Sequence, residues 1–243
     1  MYKLFSKIVP NKLKFFIKSI LNIFKNLKPI HKKNCPICGF YGFFFPFGRP
    51  LRNDAQCPSC NSLERHRLFF LMLEKKEIQI LNTNSKILHF APETFLINYF
   101  KKYPNYINAD LNGNVDKFLN IENIDLPNNS YDIIIVNHVF EHVNDNKAFK
   151  EVSRILAKGG LLVATVPIIY GWERTYEENN INDDLNKTIH FGQYDHVRYY
   201  GSDFKDRVEK FSDLVLLKTF SLSKNDEIKY GLIRGEKIYL FQK

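Results

Sequence analysis

Residues 130–167, S-Y-D-I-I-I-V-N-H-V-F-E-H-V-N-D-N-K-A-F-K-E-V-S-R-I-L-A-K-G-G-L-L-V-A-T-V-P, decide the fold class of this chain. Tyr131–Val136 is a β-branched apolar run interrupted only by Asp132, the pattern of a strand buried on both faces of a parallel sheet. From Asn144 to Ala157 the spacing becomes helical. Ala148, Val152, Ile155 and Leu156 fall on one face, and Lys147, Lys150 and Glu151 fall on the other. Gly159-Gly160 is read as the left-handed turn out of that helix into a second apolar strand. Strand, helix and strand make a βαβ unit. Upstream, K-I-L-H-F (86–90) and N-Y-I-N-A (105–109) read as two further short strands, so an open α/β sheet is expected. Such units occur in many α/β folds, and the fold alone does not give function.

The combination D-I-I-I-V-N-H-V-F-E-H-V, then R-I-L-A-K-G-G, then V-P resembles the central segment of class I S-adenosylmethionine-dependent methyltransferases, in particular those like methyltransferase type 11. The likeness covers roughly residues 85–243. It implies a Rossmann-like doubly wound sheet of seven strands, the last antiparallel, and S-adenosylmethionine as cofactor. In that family the residues matching Asp132, Asn137 and His138 lie beside the cofactor. The first cofactor loop falls at His89-Phe90-Ala91-Pro92-Glu93, and here the sequence departs from the pattern. Ala91 and Glu93 stand where small and glycine residues are usual, and His89 where an acid is common. Asp110 closes the second strand at the distance where a carboxylate can grip both ribose hydroxyls, with Leu111 next to it. F-L-N-I-E-N resembles the third cofactor segment, which gives Asn120 the adenine edge and Ile121 the cover over its ring. Each polar member also has a plainer reading: Asp110 and Asn120 as turn residues, Glu93 as an acid complementing a helix dipole.

All four cysteines lie in two C-P-x-C knuckles, Cys35/Cys38 and Cys57/Cys60. This spacing fits a tetrahedral four-thiolate zinc site, closed and therefore structural. A disulfide pair or a redox motif is the alternative, and no secretory context or βαβ placement favours either. The aromatic segment between the knuckles, G-F-Y-G-F-F-F-P-F-G-R-P-L-R, suits packing on the metal ahead of facing a substrate.

The net charge of +9 is unevenly spread. No Asp or Glu precedes Asp54, whereas Lys3, Lys7, Lys12, Lys14, Lys18, Lys25, Lys28, Lys32, Lys33, Arg49 and Arg52 all do, which leaves the remainder slightly acidic. Leu13, Phe16, Ile17, Ile20, Leu21, Phe24 and Leu27 recur at helical spacing among these lysines. The result is a basic amphipathic arm, too interrupted for a spanning helix or signal-peptide core, so the expected location is cytoplasmic. The arm suits peripheral contact with the inner face of a membrane or docking on its own protein, and RNA less well. Four segments are expected: the arm at 1–33, a zinc-ribbon-like module at 34–62, a linking helix within 63–84 and the catalytic domain at 85–243. In the linking helix Leu63, Leu68, Leu71 and Met72 read as core, and Arg65, His66 and Arg67 as solvated or ribbon-packing, with reach to a substrate as the alternative.

Ile168–Tyr200 reads as a long aperiodic connection leaving the carboxyl end of a strand, where ligands bind in open α/β sheets. Its F-G-Q-Y-D-H-V-R-Y-Y-G string resembles the equivalent segment of a bacterial methyltransferase subgroup that carries an amino-terminal C-P-x-C pair. Methyl transfer requires an oriented nucleophile and, for a hydroxyl, a base. Asp195-His196 and His142 are the candidate catalytic residues, with Arg198 and Trp172 as substrate contacts. No D/N-P-P-Y/F motif follows Tyr131–Val136, which argues against adenine amino groups as acceptor. A small-molecule acceptor methylated at oxygen or nitrogen is expected, such as a saccharide or envelope precursor. The rivals are an RNA methyltransferase and a non-catalytic zinc-containing binding module.

Overall fold

In the computed structural model, residues 10, 13, 16, 17, 20, 21, 31–48, 51–178 and 180–243 are described. Most of the amphipathic arm expected at 1–33, including its lysines up to Lys28, lies outside them. Leu13, Phe16, Ile17, Ile20 and Leu21 are helical. The chain divides into two units, and the division differs from the expected boundaries. One unit runs up to Arg67 and takes in Lys224–Ile233, and the other is Leu68–Ser223 with Arg234–Lys243. The first unit thus extends past residue 62 to Arg67, and residues 224–233 cluster with it instead of with the sheet.

The reason lies in one buried arginine. The first unit has two short antiparallel pairs, β1 (Lys33–Asn34) with β2 (Tyr41–Gly42) and β3 (Phe45–Phe47) with β4 (Arg52–Gln56). Helix α1 (Glu64–Glu74) begins within it, on the segment predicted as the linking helix. Arg67 is fully buried and donates to the carbonyls of Ser62 (2.6 Å), Ala55 (2.9 Å), Tyr230 (2.7 Å) and Gly231. Its guanidinium sits 4.7 Å from the centre of the Phe44 ring. A planar fork of donors can satisfy several carbonyls at once, which a lysine cannot. Tyr230 ends a short helix, Lys224–Tyr230, so Arg67 ties that distant segment to the ribbon. Gly231 is at φ +59°, and a Cβ there would meet the Asp54 carbonyl at 3.0 Å. Of the aromatic segment only Phe44 and Phe40 pack with the cysteines, while Tyr41, Phe43, Phe45 and Phe47 are exposed. Packing beside the cysteines is thus confined to two rings of the segment.

The second unit is built on a seven-stranded sheet. Its strands are β5 (Ile87–Phe90), β6 (Tyr106–Asp110), β7 (Lys117–Phe118), β8 (Tyr131–Asn137), β9 (Leu156–Thr165), β12 (Val215–Phe220) and β13 (Ile238–Gln242), in the order β12-β13-β9-β8-β5-β6-β7. The last strand, β13, is antiparallel to both neighbours, and the other pairings are parallel. Ile133, Ile134, Ile135 and Val136 of β8 are fully buried, as their apolar run requires. Helix α2 (Thr94–Phe100) follows β5, and α3 (Asp145–Ile155) joins β8 to β9. Asn144 caps α3 by accepting from the Lys147 amide at 3.2 Å. Gly159-Gly160 is not the turn after this helix. The helix ends at Ile155 in extended backbone, and the glycines lie inside β9, where Gly159 (φ +74°) forms a register shift against β8. A Cβ on Gly160 would meet the Ala157 carbonyl at 2.8 Å, so close backbone approach fixes glycine there. The stretch read as aperiodic contains β10 (Tyr176–Glu177), α4 (Asp184–Phe191) and β11 (Arg198–Tyr199), and α5 (Phe204–Phe211) follows. No helix among the described residues is long and apolar enough to cross a membrane.

Replacing Arg67 by Met leaves four carbonyls without their donor, each costing about 1–3 kcal/mol when buried. Arg67→Met is expected to lower stability by about 3 kcal/mol or more, with the four thiols becoming reactive toward a disulfide reagent at lower urea than in the wild type.

Candidate active site

Strand register assembles the site. Phe90 of β5 pairs with Ala109 of β6 and with Val136 of β8, so Ala91, Asp110 and His138 emerge together at the carboxyl ends of three adjacent parallel strands. They line a cavity of ≈ 550 Å³ with Leu111, Asn120, Ile121, His142 and Asp195 among its walls. That volume is within the ~300–1,000 Å³ of small-molecule clefts. Asp110 holds the Leu111 amide with one carboxylate oxygen at 2.6 Å. Asn120 accepts from the Glu122 amide at 2.9 Å, the turn role open to it from sequence, and the buried Ile121 lies beside it.

Two non-glycine residues at the rim are left-handed, Ala91 at φ +47° and His138 at φ +53°. Each amide is pinned to a neighbouring strand, Ala91 to the Ala109 carbonyl (2.9 Å) and His138 to the Thr165 carbonyl (2.9 Å). Such backbone costs about 1–3 kcal/mol per residue and persists only where surroundings enforce it. The loop thus takes up the conformation that a glycine would supply, although the glycine is absent.

Beyond His138, the 3₁₀ turn Phe140–His142 sets out a group of histidines and carboxylates. His138 Nδ1 lies 3.2 Å from Oε1 of Glu141, which is almost fully buried. Although burial works against its charged form, hydrogen bonding to His138 and that residue's positive charge lower the Glu141 pKa overall. His142 Nδ1 lies 3.1 Å from the Asp195 carbonyl and 3.3 Å from its carboxylate. Both partners accept, so Nδ1 carries the proton and Nε2 keeps its lone pair. His196 packs edge-on to His142 with ring centres 4.6 Å apart, and burial lowers its pKa.

The D-H-V-R string is held here by its arginine. Arg198 donates to the carbonyls of Phe140 (2.7 Å) and Val143 (2.6 Å) and pairs with Glu177 at 3.1 Å. The Val197 amide bonds to the Glu141 carbonyl at 2.9 Å. Arg198 is buried by these bonds, so its place is beneath the site and not in it. The Asp145 carboxylate, which sequence reading passed over, accepts from Tyr200 (3.0 Å) and Arg207 (2.8 Å) in the same assembly. In sequence it reads only as an acid in the first turn of the helix, and its arginine partners lie 53 and 62 positions downstream.

Several sequence-predicted residues lie off the cavity wall. His89 is fully buried under the strand, bonded to Tyr106 at 3.0 Å and packed on Phe100, and desolvation pulls its pKa down to about 4. Glu93 is the N-cap residue of α2 without a capping side-chain bond. Asn137 is buried and accepts from the Thr165 hydroxyl at 3.0 Å. Asp132 accepts from the Lys86 amide at 2.9 Å, at the opposite end of the strand. Trp172 is exposed and meets the rings of Tyr176 and Tyr199.

In the other unit, the sulfur atoms of Cys35, Cys38, Cys57 and Cys60 all lie within 4.8 Å of one another. Cys35 and Cys60 are 3.6 Å apart, Cys38 and Cys57 3.7 Å. A tetrahedral ion with metal–sulfur bonds of ~2.3 Å needs sulfurs about 3.8 Å apart, whereas a disulfide needs ~2.05 Å. The two knuckles are built alike. Gly39 and Asn61, each following the second cysteine of a pair, are left-handed and return their amides to the carbonyls of Cys35 and Cys57 at 2.9 Å.

Residues 104–164, which span β6, β8, α3 and most of β9, match the family described as "Methyltransferase domain". No curated protein matches the chain by sequence. Solved structures with the same fold include an S-adenosylmethionine dependent methyltransferase from Mesorhizobium loti, 10% identical, with a TM-score of 0.52 over 71% of this chain and 97% of that one. They also include the cyclase SpnF, 10% identical, with a TM-score of 0.51 over 78% and 86%. These likenesses bear on the fold.

His89 is neutral in the folded protein down to about pH 4, whereas an unfolded histidine gains a proton near pH 6.5. The unfolded state therefore binds more protons between these values. Stability is complete above pH 6.5 and is lost on acidification, by up to about 1.4 kcal/mol per pH unit. His89→Gln is expected to remove that slope from urea unfolding measured between pH 4 and 7.

Proposed function

We propose that this chain, which carries a class I methyltransferase domain, binds S-adenosylmethionine in the cleft at the carboxyl ends of β5, β6 and β8. In this reading it transfers the methyl group to an oxygen or nitrogen of a small molecule. The observation that carries the reading is the meeting of Ala91, Asp110, Asn120, Ile121 and His138 around one cavity, within and beside the segment that matches the domain. The left-handed backbone at Ala91 supports close approach of a ligand to the main chain. In this reading the Asp110 carboxylate accepts from ribose hydroxyls, Asn120 meets the adenine edge, and Ile121 covers its ring.

The cofactor supplies an electrophilic methyl group on a sulfonium that is already a good leaving group. The chain's own residues must therefore position the acceptor and take its proton. The His142–Asp195 pair is suited to this. Asp195 fixes the imidazole tautomer and both residues line the cavity. His196 stands behind His142 as a positioning residue. A saccharide or envelope precursor fits an acceptor presented at a membrane surface, with the basic arm making the peripheral contact.

We further propose that the four cysteines hold one structural zinc, since four thiolates leave no coordination position open. Metal analysis of the purified chain is expected to return zinc bound by the cysteines. Its removal by a chelator should raise hydrogen exchange across residues 34–62 while the sheet retains its circular dichroism.

Calorimetry with S-adenosylmethionine tests the main reading. The zinc-loaded chain should bind it, and Asp110→Ala should weaken binding by about ten-fold or more, corresponding to ~1.4 kcal/mol. Absence of binding by well-folded wild-type protein would overturn the methyltransferase assignment.

A further inference from the structure

The cluster beside the cleft contains more acceptors than donors. Ligand atoms of Glu141, His142 and His196 all lie within 4.8 Å of one another. Glu141 is 1% exposed and His196 5%. The Oε2 atom of Glu141 and the Nδ1 atom of His196 are both buried without a hydrogen-bond partner among the described residues. An unpaired carboxylate oxygen at this depth is costly, and the imidazole nitrogen near it does not satisfy it. The third member brings its own lone pair. Because His142 Nδ1 donates to Asp195, its Nε2 is the acceptor nitrogen. A histidine whose far nitrogen donates to a carboxylate or carbonyl is the usual arrangement behind a metal ligand.

We propose that Glu141, His142 and His196 form a second metal site, distinct from the four cysteines, that takes a divalent transition-metal cation. Two imidazoles and one carboxylate suit zinc, iron(II), cobalt(II) or manganese(II), and three protein ligands leave positions open for an exogenous oxygen. A cation between the three would neutralise the Glu141 carboxylate and occupy both orphaned atoms. The open positions matter because His142 and Asp195 line the cavity.

The role of the site rests on the methyltransferase reading. An acceptor hydroxyl entering an open position would be acidified by the cation. With His142 Nε2 committed to the cation, the proton passes to the other member of the pair, the Asp195 carboxylate, which is 41% exposed and can return it to solvent. The freed oxygen attacks the methyl carbon as the carbon–sulfur bond breaks, the electron pair stays on sulfur, and neutral S-adenosylhomocysteine departs. The cation is unchanged. The acceptor class is then narrowed to compounds that offer an oxygen donor to a metal, such as a vicinal diol, a catechol or a hydroxy acid.

The test uses the full chain with its cysteines first filled by one equivalent of zinc. Cobalt(II) is then titrated and followed by calorimetry and visible absorption. One further equivalent per chain is expected, with d–d bands but no thiolate-to-metal charge transfer. Glu141→Gln and His196→Asn should each weaken it by at least about ten-fold. No further cobalt bound by wild type, a charge-transfer band on the added metal, or unchanged affinity in both variants would overturn the site. A variant that fails to fold is set aside by its circular dichroism, and the wild-type titration still decides. S-adenosylmethionine calorimetry on the same samples separates the two proposals. Cobalt without cofactor binding leaves the metal site standing and removes its role in methyl transfer, whereas cofactor without cobalt does the reverse.

Discussion

The carboxylate of Asp145, 2% exposed, is the point on which the candidate site is hung. It is taken out of water at the first turn of the helix after β8, where three donors surround it: Tyr200, Arg207 and, at 3.6 Å, Arg198. Burying a charge in this way is not an efficient source of stability, since desolvation consumes much of the attraction. Its value here is geometric. Arg198 spans from Asp145 to the carbonyls of Phe140 and Val143, so the position of the turn that carries Glu141 and His142 depends on a residue more than fifty positions downstream. Glu177, shared by both arginines, adds the β10 segment to the same network.

Much of the fold was legible because its signals are local. The apolar run at 131–136 and the helical spacing from Asn144 give the βαβ unit without tertiary information, and strand register then brings Ala91, Asp110 and His138 to one rim. What escaped was set by non-local pairing. Gly159-Gly160 looks like a helix stop in sequence, yet its hydrogen bonds go to Lys243, at the far end of the antiparallel partner, and this makes it a strand irregularity. Arg198 looked like a substrate contact because charge in a long loop suggests function, and only its four partners show that it is a brace. His89 falls in the segment expected to form a cofactor loop but lies within a strand whose four residues are all buried. The segment 168–200 looked structureless because its strands are two residues long and its helix is short, too brief for periodicity to register.

The rim of the cleft shows how a sequence can depart from a motif while the backbone keeps to it. Glycine is usual in such loops because it reaches positive φ at no steric cost. Here Ala91 and His138 are forced there by hydrogen bonds to adjacent strands, and the side chains a glycine would lack are retained at the mouth of the cavity. The imidazole of His138 gains from this. Held left-handed, it turns back onto Glu141 three residues later.

The contacts of Arg67 with Tyr230 and Gly231 span 163 and 164 residues of chain. During synthesis the ribbon and its arginine emerge first, yet the carbonyls that complete them are made only after almost all of the sheet. The amino-terminal unit is therefore first to begin and late to be finished, ahead only of the closing strand β13 of the sheet. Until then Arg67 lacks two of its four acceptors, so the packing of the ribbon waits on a segment from the far end of the chain.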